Sequence, residues 1–405
     1  MISRRKKIKI ISSSLIAVAI CLGIIALRPI FFATTFLASK QSSECGVKDT
    51  LKNVHVETYD KQNHKIKINA NQAVKNNGEN YTLNQMTSTF VLNNGDECTI
   101  IADQAKTISE DIIDFKGNVK LKLKSGLLVL VDHALVNSEN KTVISTSHID
   151  AKQNNNTLSG DDYFIDFEKK YILVKRNANI SNSNANIESN QIDITLTKDG
   201  QFKTLLAKGN AKYTTNERII TANKIHYHSD IIEIIGNAQV NDRKNIRISG
   251  DKITAILDQS HEIKNANVEG KACYLSDNID LNADNFIYNN NELIAYNNVV
   301  LNYLNREKQK YNITTRKLIA QLDNHQNISK IIANENLTIK TNNDTVKADS
   351  GVVANNRLYL NGNISASGEF GDVLGNEAEL DLATGEIEFI NSSGIIEDEA
   401  GRDGK

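Results

Sequence analysis

The sequence predicts an all-β fold: a repetitive antiparallel architecture carried behind a single N-terminal transmembrane helix. Three observations lead there. An Asp or Asn after a small residue recurs along the chain, apolar and polar side chains alternate between those points, and a basic then apolar stretch opens the sequence. The recurring positions are Asn71, Asp103, Asp132, Asp161, Asn190, Asn223, Asp251, Asp284, Arg316 (a substituted copy), Asp349 and Asn376, separated by 27 to 33 residues. A period near thirty, held over this distance, marks one supersecondary unit stacked repeatedly.

At each such point the apolar alternation slips by one residue. Ile246 and Ile248 precede Asp251, and Ile253, Ala255 and Leu257 follow it. Leu281 and Ala283 precede Asp284, with Phe286 and Tyr288 after it. A strand shows each face every second residue, so a change of parity would turn its second half inside out. One extra residue, a β-bulge, restores the facing and bends the strand. Asp and Asn suit such a bend because their short side chains bond nearby backbone. Bulges or bends are therefore expected at Asp103, Asp251, Asp284 and Asp349. The alternative is two short strands joined by a turn at each site.

Between these points lies a second repeat centred on Gly-Asn. Around Gly117 the residues Ile113, Phe115, Val119, Leu121 and Leu123 share one face, while Asp114, Lys116, Asn118, Lys120, Lys122 and Lys124 share the other. The alternation returns around Gly209 (Leu205, Ala207, Ala211, Tyr213), Gly236 (Ile232, Ile234, Ala238, Val240) and Gly270 (Val268). It continues around Asn297 (Leu293, Val299, Leu301), Glu335 (Leu337, Ile339) and Gly362 (Leu358, Leu360, Ile364). One apolar and one wet face is the half-solvated antiparallel pattern. Polar punctuation at 198–200, 241–245, 289–291 and 355–356 supplies turns. A meander folded between two sheets fits a period that alternates between two strand types, and a right-handed β-helix is the competing architecture.

The first forty residues set the compartment. Arg4, Arg5, Lys6, Lys7 and Lys9 form a basic segment over 1–9, and the apolar run 10–27 follows. Eighteen helical residues rise about 27 Å, close to the thickness of a bilayer core. The excess of basic residues before the run keeps the N-terminus cytoplasmic. The small-x-small site that a cleavable signal peptide needs is poor, since Phe36 stands two before Ala38. An uncleaved inner-membrane anchor with a linker over 28–44 is the reading, a cleaved signal its alternative.

Composition fits an exported body. Of the 47 Lys and Arg, seven lie in residues 1–40 with no Asp or Glu, leaving 40 basic against 49 acidic residues. A modestly acidic exterior argues against nucleic acid. Cys45 and Cys98 both fall in the exported part, where a disulfide is permitted. Catalytic signatures are missing: there is no Gly-x-Ser-x-Gly, no phosphate-cradling glycine loop and no His-Glu-x-x-His. His226 and His228 share a strand face, but the sequence offers no evident third ligand. Asp161 and Asp162 look like an acid pair, yet Asp161 belongs to the repeat. The reading is a protein that is not an enzyme and needs no cofactor.

An anchor followed by Phe115-Lys-Gly-Asn-Val-Lys-Leu, Ile220-Thr-Ala-Asn-Lys-Ile, Ile234-Ile-Gly-Asn-Ala-Gln-Val and Leu281-Asn-Ala-Asp-Asn-Phe resembles the lipopolysaccharide-transport bridge proteins, the LptC, LptA and OstA-like group. The resemblance implies an elongated β-jelly roll open at both ends, whose interior carries lipid. It divides the chain into an LptC-like module at 45–189 and LptA/OstA-like repeats at 190–390, and the polar, glycine-containing segment 391–405 is expected to be a disordered tail. Of the inward residues named around these centres, all but Leu337 and Ile339 would then line a lipid groove. Implied partners are lipopolysaccharide or a related lipid, inner-membrane transporter subunits, and another β-jelly-roll bridge protein or an outer-membrane acceptor. The proteins would join by strand addition at edges near Val54–Tyr59 and Gly385–Ile390. The alternatives are a passive envelope scaffold with a dry core and a conduit for other lipids of the AsmA-like kind.

Overall fold

The computed structural model describes residues 50–395, less 60–64, 77–80, 92–96, 110–111, 125, 138–139, 141, 167–168, 198–201, 243–244, 258–262, 290–291, 305–307, 323–327, 342, 355–356, 369–370 and 391–392. The basic segment 1–9, the helix expected over 10–27, the linker and Cys45 lie outside the described residues. Among the described residues no helix is long and apolar enough to cross a membrane.

Two compact units emerge. One holds residues up to Asn216 together with Lys224–Ser229, the other Glu217–Asn223 together with Asp230 onward. This division lies further along the chain than 189/190.

The first unit contains β1 (Thr50–Tyr59), β2 (Lys65–Lys75), β3 (Tyr81–Val91), β4 (Glu97–Ser109), β5 (Ile112–Leu123) and β6 (Leu128–Asn137). It continues through β7 (Thr142–Ser145), β8 (Ile149–Gln153), β9 (Asn156–Asp166), β10 (Tyr171–Ser181), β11 (Ala185–Leu196) and β12 (Phe202–Thr215). Neighbours in sequence pair antiparallel throughout. The exception is instructive: β7 and β8 each pair with both β6 and β9, so they are halves of one strand interrupted at Thr146–His148.

Strand β13 (Arg218–His228) falls partly in each unit. The second unit continues with β14 (Ile231–Asp242), β15 (Arg247–Leu257), β16 (Ile263–Leu275), β17 (Ile279–Asn289), β18 (Glu292–Leu304) and β19 (Lys310–Leu322). It ends with β20 (Ile328–Lys340), β21 (Thr345–Ala354), β22 (Arg357–Gly368), β23 (Gly371–Asp381), β24 (Ile387–Ile390) and β25 (Ser393–Ile395). From β14 to β24 each strand again pairs antiparallel with the next, and β25 pairs with β23. The antiparallel meander is borne out, since the rungs of a β-helix would pair in parallel. Three residues of the segment expected to be a disordered tail, Ser393–Ile395, form β25 against Asp372–Leu374.

The recurring Asp positions are bends within continuous strands rather than turns: β4 runs unbroken through Asp103 and β17 through Asp284. The extra residue is not where the sequence placed it. Ile101 pairs with Lys120 and Gln104 with Lys116, so two residues of β4 face three of β5. The same two-against-three register holds at Ser249/Lys252, Asn282/Asn285 and Lys347/Ser350. The bulge therefore sits in the Gly-Asn strand. Gly117 and Asn118 take φ of 72° and 47°, and Gly236 and Asn237 take 75° and 51°. Two consecutive left-handed residues need Gly, which has no Cβ, and Asn, which tolerates that region.

The opposing Asp or Asn fills the space that the glycine leaves. A Cβ on Gly117 would lie 2.5 Å from Asp103 Oδ2 and 2.9 Å from its Cβ. Asn118 Nδ2 then donates to Asp103 Oδ2 at 2.8 Å, and Asn363 donates to Asp349 at 2.9 Å. At the substituted copy both partners have changed. Arg316 stands for the acid and Glu335 for the glycine, and the two form an ion pair at 3.5 Å.

Candidate functional site

The bends put the apolar side chains of each unit on one side of its sheet. In the first unit an unbroken cross-strand row runs Ile68, Ser88, Ile100, Leu121, Val129, Ala151, Leu158, Ile180, Ile187. Beyond the bend a second row runs Ile113, Val136, Val143, Ile165, Ile172, Ile194, Leu205. Every member of both rows is buried. In the second unit the row is Ile234, Ile253, Val268, Phe286, Ala295, Leu318, Ala333, Gly351, Leu360, Ala378, and it is buried as well.

Within the first unit, residues from both sides of the bend line one cavity. Ile100, Leu121 and Val129 come from one arm, and Phe115, Val136 and Ile165 from the other. The two arms therefore face one another across an apolar interior. The cavity measures about 50 Å³, room for a few waters and far below the roughly 300 Å³ of a small-molecule pocket. An acyl chain enters only if the arms part or side chains swing aside.

Of the residues that the sequence assigned to a groove, Ile113, Phe115, Val119, Leu121, Leu123, Leu205, Ala207, Ala211, Ile234, Ala238, Val268, Val299, Leu301, Leu358, Leu360 and Ile364 are buried. Tyr213, Ile232, Val240 and Leu293 are half-buried. Cys98 is buried on the same side as Ile100.

The sequence missed a polar cluster at the interrupted strand. Asp114 was placed on the wet face among lysines, yet it is only 7% exposed. Its carboxylate accepts from His133 Nε2 at 2.6 Å and from Lys116 Nζ at 2.8 Å. Burial pushes the Asp114 carboxyl up, but the hydrogen bonds from Lys116 and His133 more than offset it and hold it below the usual value. Around the break, Ser147 Oγ donates to the His133 carbonyl at 3.1 Å, and the Tyr163 hydroxyl donates to the same oxygen at 3.1 Å. The Ser147 hydroxyl is thus spent on backbone, which gives a brace rather than a nucleophile. No local pattern announces the cluster, because only the fold brings β5, β6, β7 and β9 together.

The adjacent acids part company. Asp161 bonds His148 Nδ1 at 2.7 Å and accepts from Asn177 at 3.1 Å, whereas Asp162 pairs with Arg176 at 2.7 Å. The hydrogen bond to Asp161 raises the His148 pKa, with burial opposing. His226 and His228 place their rings 4.4 Å apart.

The family model described as lipopolysaccharide-assembly, LptC-related, matches residues 15–183. This bears out the LptC resemblance over those residues, which hold the Phe115 repeat and not the later ones. Among solved structures, the chain is similar to LptH, the LptA-homologous periplasmic component of the lipopolysaccharide transport device from Pseudomonas aeruginosa. The identity is 15% and the TM-score 0.24, over 27% of this chain and 80% of that one. No curated protein matches the chain.

Proposed function

We propose that this chain is an inner-membrane-anchored periplasmic bridge that carries the acyl chains of lipopolysaccharide in the apolar interior of its β-jelly rolls. The observation that carries the reading is the pair of buried apolar rows in the first unit, facing one another across the bend. The LptC-related match over residues 15–183 supports the lipid class and the anchored topology. Each methylene taken out of water contributes about 0.8 kcal/mol, so a 14-carbon chain stranded in the periplasm costs on the order of 11 kcal/mol. An apolar trough removes that barrier. In this reading residues 45–189 are the LptC-like module, residues 190–390 the LptA/OstA-like repeats, and transporter subunits and a further bridge or acceptor dock at the ends.

The small volume of the cavity favours a second reading, a scaffold with a dry core. A photo-crosslinking amino acid separates the two. Placed at Leu121, inside, it captures lipopolysaccharide in growing cells; placed at Lys122, on the opposite face, it does not. Capture at neither position supports the scaffold, and capture of a different lipid at Leu121 makes the chain a conduit of another kind.

A further inference from the structure

We infer that the Ser88 hydroxyl is a recognition point inside the first unit for an acyl chain that carries a neutral oxygen function, a hydroxyl or an ester, within its apolar body. The inference rests on the lipid-bridge reading and names the lipid chemistry that its interior selects. Ser88 is 0% exposed, and its Oγ has no hydrogen-bond partner. It is the single polar member of the inward row, between Ile68 and Ile100, with Met86 beside it on the same strand face. Ile100 and Leu121, the next two members of the row, are walls of the cavity.

The other buried hydroxyls of the described residues are satisfied. Asn76 donates to Thr82 at 2.9 Å, Ser145 bonds Ser147 at 2.9 Å, Ser189 donates to the Gln191 carbonyl at 2.8 Å and Thr315 to the Asn334 carbonyl at 2.8 Å. Tyr163 and Tyr311 each reach a carbonyl, at 3.1 and 3.2 Å. A buried hydroxyl left unpaired is disfavoured by its lost hydration, and an alanine there would pack without that loss. A plain saturated chain gives Ser88 nothing to bond. A carboxylate or phosphate at that depth would be an unpaired buried charge, since the row holds no basic side chain. A hydroxyl or ester oxygen matches the serine in charge and in bonding capacity.

The test uses the full chain, released from detergent in native mass spectrometry, with equimolar tetradecanoic and 3-hydroxytetradecanoic acids as probes. The expected result is a ratio of hydroxylated to plain occupancy roughly three- to tenfold higher on the wild type than on Ser88→Ala, the range that one net hydrogen bond supplies. Ser88→Thr, which keeps the hydroxyl, holds the wild-type ratio. Equal ratios on wild type and Ser88→Ala, with both acids bound, overturn the inference and leave the lipid reading standing. A ratio lost in Ser88→Thr as well as Ser88→Ala assigns the effect to packing and also overturns it. Binding of neither acid removes the lipid reading, and this inference with it.

Discussion

Gly117 shows how much of the fold rests on one atom that is missing. Its φ of 72° lies in the left-handed region, and an added Cβ would meet the Oδ2 and Cβ of Asp103. Gly117→Ala is therefore expected to destabilise the first unit by about 1–3 kcal/mol, read as a lower denaturant midpoint of the full chain. Because part of that loss is a clash with Asp103 itself, adding Asp103→Gly to Gly117→Ala should recover part of it, a coupling that a double-mutant cycle detects. An additive cycle would mean that the two residues do not meet as described. The Arg316 and Glu335 copy shows a different solution: Glu335 keeps a left-handed φ of 70° without being glycine. Its exposed ion pair with Arg316 supplies only about 0–1 kcal/mol, so the neighbouring strands must hold that conformation. The Asp positions were legible in the sequence because parity visibly slips there, from Ala102 to Ala105 on the inward side. The bulge was not legible. The inward step from Phe115 to Val119 spans four residues and keeps its parity, so the strand with the extra residue reads as regular.

At the scale of elements, the strand ends of the described chain are the exposed edges. Among the described residues β1 pairs only with β2, and β24 and β25 pair only with β23. An unpaired edge is a template for another strand, a hazard in most proteins and a docking site in a bridge. The C-terminal edge is short and broken, four residues and then three, which blunts indiscriminate pairing. It also exposes Ile390, at 51%, apolar area that a partner strand would cover. A photo-crosslinker at Glu388, exposed on β24, is expected to capture a β-rich partner, whereas one at Lys122, in the middle of the first unit, captures none. Equal labelling at both positions, or none at either with lipid export intact, argues against docking by strand addition. The sequence located this edge to within a few residues because apolar alternation persists through Ile387 and Phe389. It missed β25 because Ser393–Ile395 is too short to show a period.

For the whole molecule, the all-β antiparallel class was legible because a half-buried strand writes its facing into every second residue, and the bends only shift that record by one. The Asp114 cluster and the unpaired Ser88 were not, since both depend on which strands become neighbours. Five basic residues precede the apolar run 10–27, against Arg28 and Lys40 after it, an asymmetry expected to retain the N-terminus on the cytoplasmic side. The remainder, with 49 acidic residues against 40 basic, carries no comparable positive block that would oppose export. A reporter that works only in the cytoplasm, fused after residue 60, should stay silent, and a reporter that needs export should be active at the same junction. The mature chain should also keep its first residues, because an anchor is not cleaved. An active cytoplasmic reporter would reverse the topology. A mature N-terminus near Ser39 would make the leader a signal peptide and release the β-units from the membrane, leaving a bridge with no fixed end at the inner membrane.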